Sequence, residues 1–422
     1  MRSHMRTGLW GQSDFVKLWL GRTVSQFGSH ITYMALAVTA ILWLKATPFQ
    51  MGLLAATGDA AVLLFGLLAG VWVDRLRRRP ILIATDLVRA LALVSIPVAA
   101  IGGWLSLAQL YLVGALTGVQ SVFFDVADRA YLPTLVEREQ LLEANAKLSA
   151  SEAVAEVGGQ ALAGILVQWL SAPIAIVLDA LSYVFSAACL GLIHKPEPPP
   201  IAAHARESAG QSVVTGLRLV LKDPILRALT ASAAFREFFG NFWQALYFLF
   251  LVRALGLSPA FVGISIAVGG LGSLLGTLLV GPITRRFGIG QILIGTLLLQ
   301  IPLGWIIPLA HGPRVTVMAL CLVAQFTDLL YPIQTVTQQS LRQALIPHRL
   351  MGRATASMDF LTRGVGPLGA LLGGALGSGI GMRATLMGAS LGTVLAMLCL
   401  LFSPVRRLKT LPERREEAFL AR

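Results

Sequence analysis

Charge is what this sequence has least of. Only 13% of its 422 residues are Asp, Glu, Lys or Arg, while 55% are hydrophobic. Soluble domains carry about 25% charge, so lipid is the expected solvent. Cysteine is nearly absent: Cys189, Cys321 and Cys399 stand singly inside apolar runs, which excludes a disulfide framework or a thiolate metal site. The six histidines are scattered, without metal-ligand spacing or a nucleophile beside a base. No Gly-x-x-x-x-Gly-Lys-Ser/Thr loop occurs, so the chain alone does not use ATP. No enzyme activity, cofactor or metal is expected. Acidic residues are the scarcer sign, 21 against 34 basic, for a net charge of +13. Nucleic acid is the usual partner of such a balance, but the placement of the charges argues against it.

Long apolar runs are what the chain has instead. A run needs about 20 residues at 1.5 Å each to cross a bilayer. Such runs are read at 16–44, 50–73, 81–101, 106–127, 148–171, 174–193, 224–252, 260–283, 289–310, 314–340, 354–378 and 382–403. That makes an all-α membrane protein of twelve spans, six per half. Lys45, Arg253, Arg314 and Arg383 fall in loops read as external, and Arg22, Arg89, Arg236 and Arg363 fall inside runs. The remaining Lys and Arg fall on the other side. Positive charge stays cytoplasmic, so the bias is topological. It places both termini in the cytoplasm; the chain is expected to be a multi-pass monomer of a bacterial inner membrane, with no nucleic-acid partner. No short apolar core with a small-residue cleavage site precedes the first run, so no cleaved signal is expected.

The chain repeats itself. Gly70-Val71-Trp72-Val73-Asp74-Arg75-Leu76-Arg77-Arg78-Arg79-Pro80 is a cationic hairpin between the second and third runs. Gly281-Pro282-Ile283-Thr284-Arg285-Arg286 is its reduced copy, 211 residues on. Thr47-Pro48 and Gly52 answer to Ser258-Pro259 and Gly263 at the same step. Two homologous halves are typical of transporters. The domains are read as residues 1–193, a first six-helix bundle; 194–223, a cytoplasmic linker; 224–403, a second bundle; and 404–422, a cytoplasmic tail. Pro196, Pro198, Pro199 and Pro200 forbid a continuous helix in the linker. Its end, Val213 to Lys222, reads as a short amphipathic helix on the membrane surface.

The hairpin resembles the signature of the major facilitator superfamily, Gly-x-x-x-Asp-Arg-x-Gly-Arg-Arg. Gly70, Asp74, Arg75, Arg78 and Arg79 match, and Arg77 stands where the second Gly is usual. Gly366-Pro367 resembles the Gly-Pro motif of the superfamily's antiporters. In the first half Gln160 takes that Pro's place. Leu18-Trp19-Leu20-Gly21-Arg22, Asp86 with Arg89, Phe123-Phe124-Asp125 and Leu132-Pro133 are similar to the macrolide-efflux and enterobactin-exporter branch of drug:proton antiporters. The resemblance implies two pseudo-symmetric six-helix bundles. It also implies a cavity lined by spans 1, 4, 7 and 10 that opens alternately to either side of the membrane.

Ionisable groups at bilayer depth cost at least about 2.5–3.5 kcal/mol, so they should face protein or water. Asp74, Arg75, Arg78, Asp86, Arg89 and Asp125, with Gly70, Gly366 and Pro367, are assigned to a gate at the cytoplasmic mouth. Asp59, Glu156 and Asp328 lie deeper. Desolvation raises carboxyl pKa values, which suits these three to proton coupling. Asp359 with Arg363, four residues apart, is expected to form a structural ion pair. Asp179 is expected to be a satisfied buried polar group. Arg22 is placed to neutralise Glu152 or Glu156. The seventh span is aromatic, and the tenth carries a polar stripe. Arg22, Arg236, Glu237, Asn241, Trp243, Gln244, Tyr247, Gln325, Tyr331, Gln334 and Gln338 are therefore assigned to a substrate cavity suited to amphipathic molecules. The expected function is proton-coupled export of drug-like or macrolide-like compounds. Dedicated export of a siderophore or other natural product, or transport of a lysophospholipid, is the alternative.

Overall fold

In hydrocarbon every backbone N–H and C=O must be paired within the segment, and the chain meets that demand with helices. A computed structural model describes residues 9–197, 209–347 and 350–410, and no strand occurs among them. The first half contains α1 (Ser13–Val38), α2 (Pro48–Arg75), α3 (Arg78–Gly102), α4 (Leu107–Leu135), α5 (Leu141–Leu170) and α6 (Ala172–Gly191). A surface helix, α7 (Ala209–Lys222), follows the linker. Then come α8 (Pro224–Leu249), α9 (Pro259–Arg286), α10 (Ile289–Leu303), α11 (Ile306–Leu309), α12 (Arg314–Phe326), α13 (Leu330–Leu345), α14 (Met351–Arg363), α15 (Gly366–Gly379) and α16 (Met382–Leu401).

Local chemistry sets these ends. Pro48, Pro224 and Pro259 open α2, α8 and α9, where a missing N–H costs nothing. The Asp223 carboxylate accepts from the N–H groups of Ile225 and Leu226 at 2.8 and 3.0 Å and so caps α8. Gly103, at φ +75°, closes α3 in the left-handed region.

The repeat is visible in the backbone. Both α2 and α9 are 28 residues long, and each begins and ends at the same 211-residue step, Pro48 to Pro259 and Arg75 to Arg286. A π-helical turn at Thr39–Trp43 recurs at Phe250–Ala254.

Three expected spans of the second half are broken. Residues 289–310 divide at Gly304–Trp305, after Pro302. Residues 314–340 divide at a 3₁₀ turn, Thr327–Leu329. Residues 354–378 divide at Gly364–Val365. Pro332 and Pro367 lack the N–H that would bond the carbonyls of Asp328 and Arg363. Nine helical segments among the described residues are long and apolar enough to cross a membrane. The first, seventh and eleventh runs are not among them. Gln26, Ser29 and His30 lower the hydropathy of α1, Arg236, Glu237 and Asn241 that of α8, and Asp359, Arg363 and the glycines that of the eleventh run.

The chain forms two compact units: residues 1–47, 57–204 and 251–267, and residues 48–56, 205–250 and 268–422. In the first unit α1 packs on α5 and α6, and α3 on α4 and α6. Its core gathers Phe15, Leu18, Leu82, Tyr131 and Leu190. In the second, α8 packs on α15 and α16, and α10 on α13 and α16. There Leu229, Leu293, Leu341, Met358 and Leu400 form the core. Large apolar side chains also point outward, Leu91 at 75% and Leu278 at 74% exposure, as a lipid-facing surface requires. The helix α7 lies on α14, with Leu219 and Val220 buried. The first seven residues of α7 and the linker from 198 lie outside the described side chains.

Candidate functional site

Each unit contains a polar cavity. In the first unit it has a volume of about 550 Å³ and is lined by Arg22, Arg89, Arg129, Asp125, Asp128 and Glu152 together with smaller polar groups. Arg22 of α1 donates to Asp128 of α4 at 2.5 Å and lies 3.7 Å from Glu152 of α5. Arg89 pairs with Asp86 at 3.5 Å, one turn back on α3. Its guanidinium sits 4.8 Å from the Phe124 ring centre and 5.1 Å from that of Tyr183, so the cation is buried between π faces. Asp86 and Arg89 thus share a face as their spacing implies. Asp125 lines the same cavity.

The second cavity, about 450 Å³, is lined from α8, α10, α13, α14 and α16. Of the residues assigned to the substrate site, it gathers Arg236, Glu237, Trp243, Tyr331 and Gln338. Arg236 stacks over Tyr331, 5.4 Å from the ring centre. The remaining assigned residues are placed elsewhere. Asn241 is buried, donates to the Glu237 carbonyl at 2.9 Å and abuts Gly366. The Gln334 Oε1 accepts from Thr296 at 3.3 Å inside the unit. Gln325 lies beside Gly269. Gln244 and Tyr247 lie on α8 outside the cavity lining. Arg22 belongs to the first unit's cavity. Gln300, Arg342, Thr362 and Arg363 line the second cavity without having been assigned to it. By sequence Arg342 is one of the cytoplasmic charges, and no local pattern shows that it faces α14 there.

The expected Asp359–Arg363 pair does not form. Asp359 lies 3.7 Å from Arg342 instead, and Arg363 lines the cavity. Both residues lie within α14, one turn apart, so the spacing itself is present; the Arg342 guanidinium, arriving from α13, takes the carboxylate instead.

The three carboxylates assigned to proton coupling are divided between the units, Asp59 and Glu156 in the first and Asp328 in the second. Glu156 is exposed on α5, and Arg22 turns to Glu152 and Asp128 rather than to it. Asp59 lies in α2. Its neighbour Gly58 touches Gly118 of α4, where an added Cβ would stand 2.7 Å from the Gly58 carbonyl oxygen. Asp328 sits in the break between α12 and α13, against α9. A Cβ at Gly269 would stand 2.6 Å from Asp328 Oδ2, one at Gly272 2.7 Å from the Phe326 carbonyl oxygen, and one at Gly276 would overlap that of Leu329. The Asp328 carbonyl, unbonded by Pro332, receives the Ser273 hydroxyl at 3.4 Å. Gly269 is Gly58 one repeat later, so Asp59 and Asp328 mark the same helix crossing in the two halves. Asp179 accepts from Ser182 at 2.9 Å and fills the space left by Gly28.

Among the gate residues, Gly70 and Asp74 fall outside the described side chains. Arg75 ends α2 and is exposed. Arg78 opens α3. Its N–H and that of Arg79 donate to the Glu197 carboxylate at 2.6 and 3.1 Å, and Glu197 also lies 3.6 Å from the Arg78 guanidinium. This linker carboxylate, which its sequence context does not single out, satisfies the N-terminus of α3. Gly366 and Pro367 open α15. Outside the spans, burial opposes the charge on Asp14. Its bonds to Lys17 and to the N–H groups of His194 and Lys195 outweigh that and hold its pKa below the usual carboxylate range.

A helical protein with outward apolar faces and charged cavities inside each of two related units is a multi-pass membrane transporter of small molecules. A family model for the Major Facilitator Superfamily matches residues 18–368, and the chain belongs to that superfamily. Its members are transporters, not enzymes. The chain is 26% identical over 373 residues to the uncharacterized MFS-type transporter y4rN of Sinorhizobium fredii, covering 85% of this chain and 87% of the relative. It is 24% identical over 355 residues to the multidrug efflux pump Tap of Mycolicibacterium fortuitum, covering 81% and 85%. A bacterial homologue of the human lysosomal transporter Spinster, inward-facing and occupied, shares the fold with a TM-score of 0.74, 17% identity and coverage of 96% and 98%.

Proposed function

We propose that this transporter exports amphipathic small molecules from a bacterial cell in exchange for protons, by alternating access, with both termini cytoplasmic. One observation carries the coupling. Asp328 places a carboxylate in a helix break at the middle of a span, packed on Gly269. Broken helices at membrane depth are where transporters of this kind place coupling ions, and a carboxylate there costs least when a proton neutralises it. The aromatic and polar lining of the second cavity suits an amphipathic substrate, and the likeness to a multidrug efflux pump supports efflux.

The test uses inverted membrane vesicles energised with a proton gradient, with a fluorescent efflux dye added outside them, at the cytoplasmic face. Asp328→Asn is expected to abolish gradient-driven movement of the dye while leaving its equilibrium binding within about twofold of wild type. Full gradient-driven transport by this variant would remove Asp328 from the coupling.

A further inference from the structure

The two cavities differ in charge. The first balances Arg22, Arg89 and Arg129 against Asp125, Asp128 and Glu152. The second exposes Arg236, Arg342 and Arg363 to a single lining carboxylate, Glu237. Arg342 is partly met by Asp359, 3.7 Å away. For Arg236 and Arg363 no carboxylate lies within 4.0 Å among the described residues. Arg236 rests on the Tyr331 ring instead.

A guanidinium does not shed its proton. Inside a membrane unit it needs a counter-charge or water; Arg236 is half-buried and Arg363 exposed, and the described helices offer neither of them a carboxylate. A packing role is a poor account of both, since Arg342 on the same wall shows that the fold does provide a carboxylate where pairing is wanted. The cavity volume lies in the range of small-molecule sites. Trp243 and Phe239 give it an apolar wall beside the cations.

We propose that the second cavity binds the acidic group of its substrate, a carboxylate or phosphate, through Arg236 and Arg363, while the apolar body of the molecule lies against Phe239 and Trp243. Planar guanidinium groups match both anions with two parallel hydrogen bonds. An amphipathic cation is disfavoured at the same place. This names the substrate class within the exporter reading above and rests on it. The anion has two possible sources, a free organic acid or the headgroup of a single-chain phospholipid.

The purified transporter in nanodiscs of zwitterionic lipid is titrated with 11-(dansylamino)undecanoic acid and, separately, with its methyl ester, following dansyl fluorescence. The acid is expected to bind at least about tenfold more tightly than the ester. Arg236→Gln and Arg363→Gln should each weaken the acid by about five- to tenfold and leave the ester unchanged, and Arg363→Lys should restore part of the loss. Size-exclusion profiles confirm that each variant is folded. If one Gln variant fails to fold, the other, with the wild-type comparison of acid and ester, decides. Displacement by lysophosphatidic acid but not by 2-naphthoate assigns the anion to a lipid headgroup, and the reverse assigns it to a free acid. Equal affinity for acid and ester, or Gln variants that weaken both alike, would overturn the proposal. No gradient is present in this measurement. Loss of proton-driven export with the acid preference intact would therefore sink the exporter reading alone, and gradient-driven export with no acid preference would sink this inference alone.

Discussion

Arg22 of α1 and Asp128 of α4 are joined at 2.5 Å, with only 5% of the Asp128 side chain exposed. The pair ties two helices whose apolar faces have little reason to associate in lipid. Removing one partner leaves a charge stranded in a low-dielectric place, which costs about 3–5 kcal/mol. Arg22→Gln and Asp128→Asn are each expected to lower the unfolding temperature of the detergent-solubilised protein. The double variant should lose less than the two singles added together. Strict additivity in that cycle would mean that the two groups do not act as a pair.

Gly276 offers a steric test of the break in the tenth span. A Cβ there would overlap the Leu329 carbonyl oxygen, whereas one at Gly281, five residues on, meets nothing within 4 Å. Gly276→Ala should reduce transport at least about tenfold and lower the unfolding temperature, because a backbone carbonyl cannot step aside as a side chain does. Gly281→Ala, on the same helix, should leave both near wild type. Transport assays and thermal unfolding of the two variants side by side check this.

Glu197 anchors the linker to the start of α3 with two charge-assisted bonds. Glu197→Ala should cost about 1–2 kcal/mol. It should also speed proteinase K cleavage near residue 197 severalfold, with transport less affected. An unchanged cleavage rate would show that other contacts hold the linker.

Asp14 grips the same region through the N–H groups of His194 and Lys195. Its pKa is lowered in the folded protein. The stabilisation is therefore present above the ordinary value of 3.8 and is lost as the pH falls through the folded value below it. Cleavage by pepsin near residue 194 should accelerate as the pH drops below 3.8. Asp14→Asn should show the fast rate across the whole acid range.

Most of the architecture could be read from hydropathy and from the 211-residue step, which fixed matching ends for α2 and α9. Helix breaks were harder to read. Pro97 and Pro133 lie inside α3 and α4 without dividing them, while Pro332 and Pro367 mark divisions. The difference is tertiary. Near Pro332 the freed carbonyl finds Ser273 and the glycines of α9, and no local pattern shows that helix standing alongside. The ionic partners were legible only as candidates. Asp359 and Arg363 have helical spacing within α14, but Arg342 arrives from another helix and takes the carboxylate. Arg22 reaches Glu152, one of the two glutamates expected beside it, but its shorter bond goes to Asp128, a group 106 residues away. The cavity split likewise follows packing. Asn241 and Gln334 belong to the polar stripes, yet each is spent on a partner inside the unit.

The step that equates the halves also shows where they part. Gly272 and Gly276, which admit the Phe326 and Leu329 carbonyls, correspond to Ala61 and Phe65. Grafting α2 alone in place of α9 would thus drive a phenyl ring into the Leu329 peptide group. The halves share a backbone plan, yet single helices cannot be traded between them.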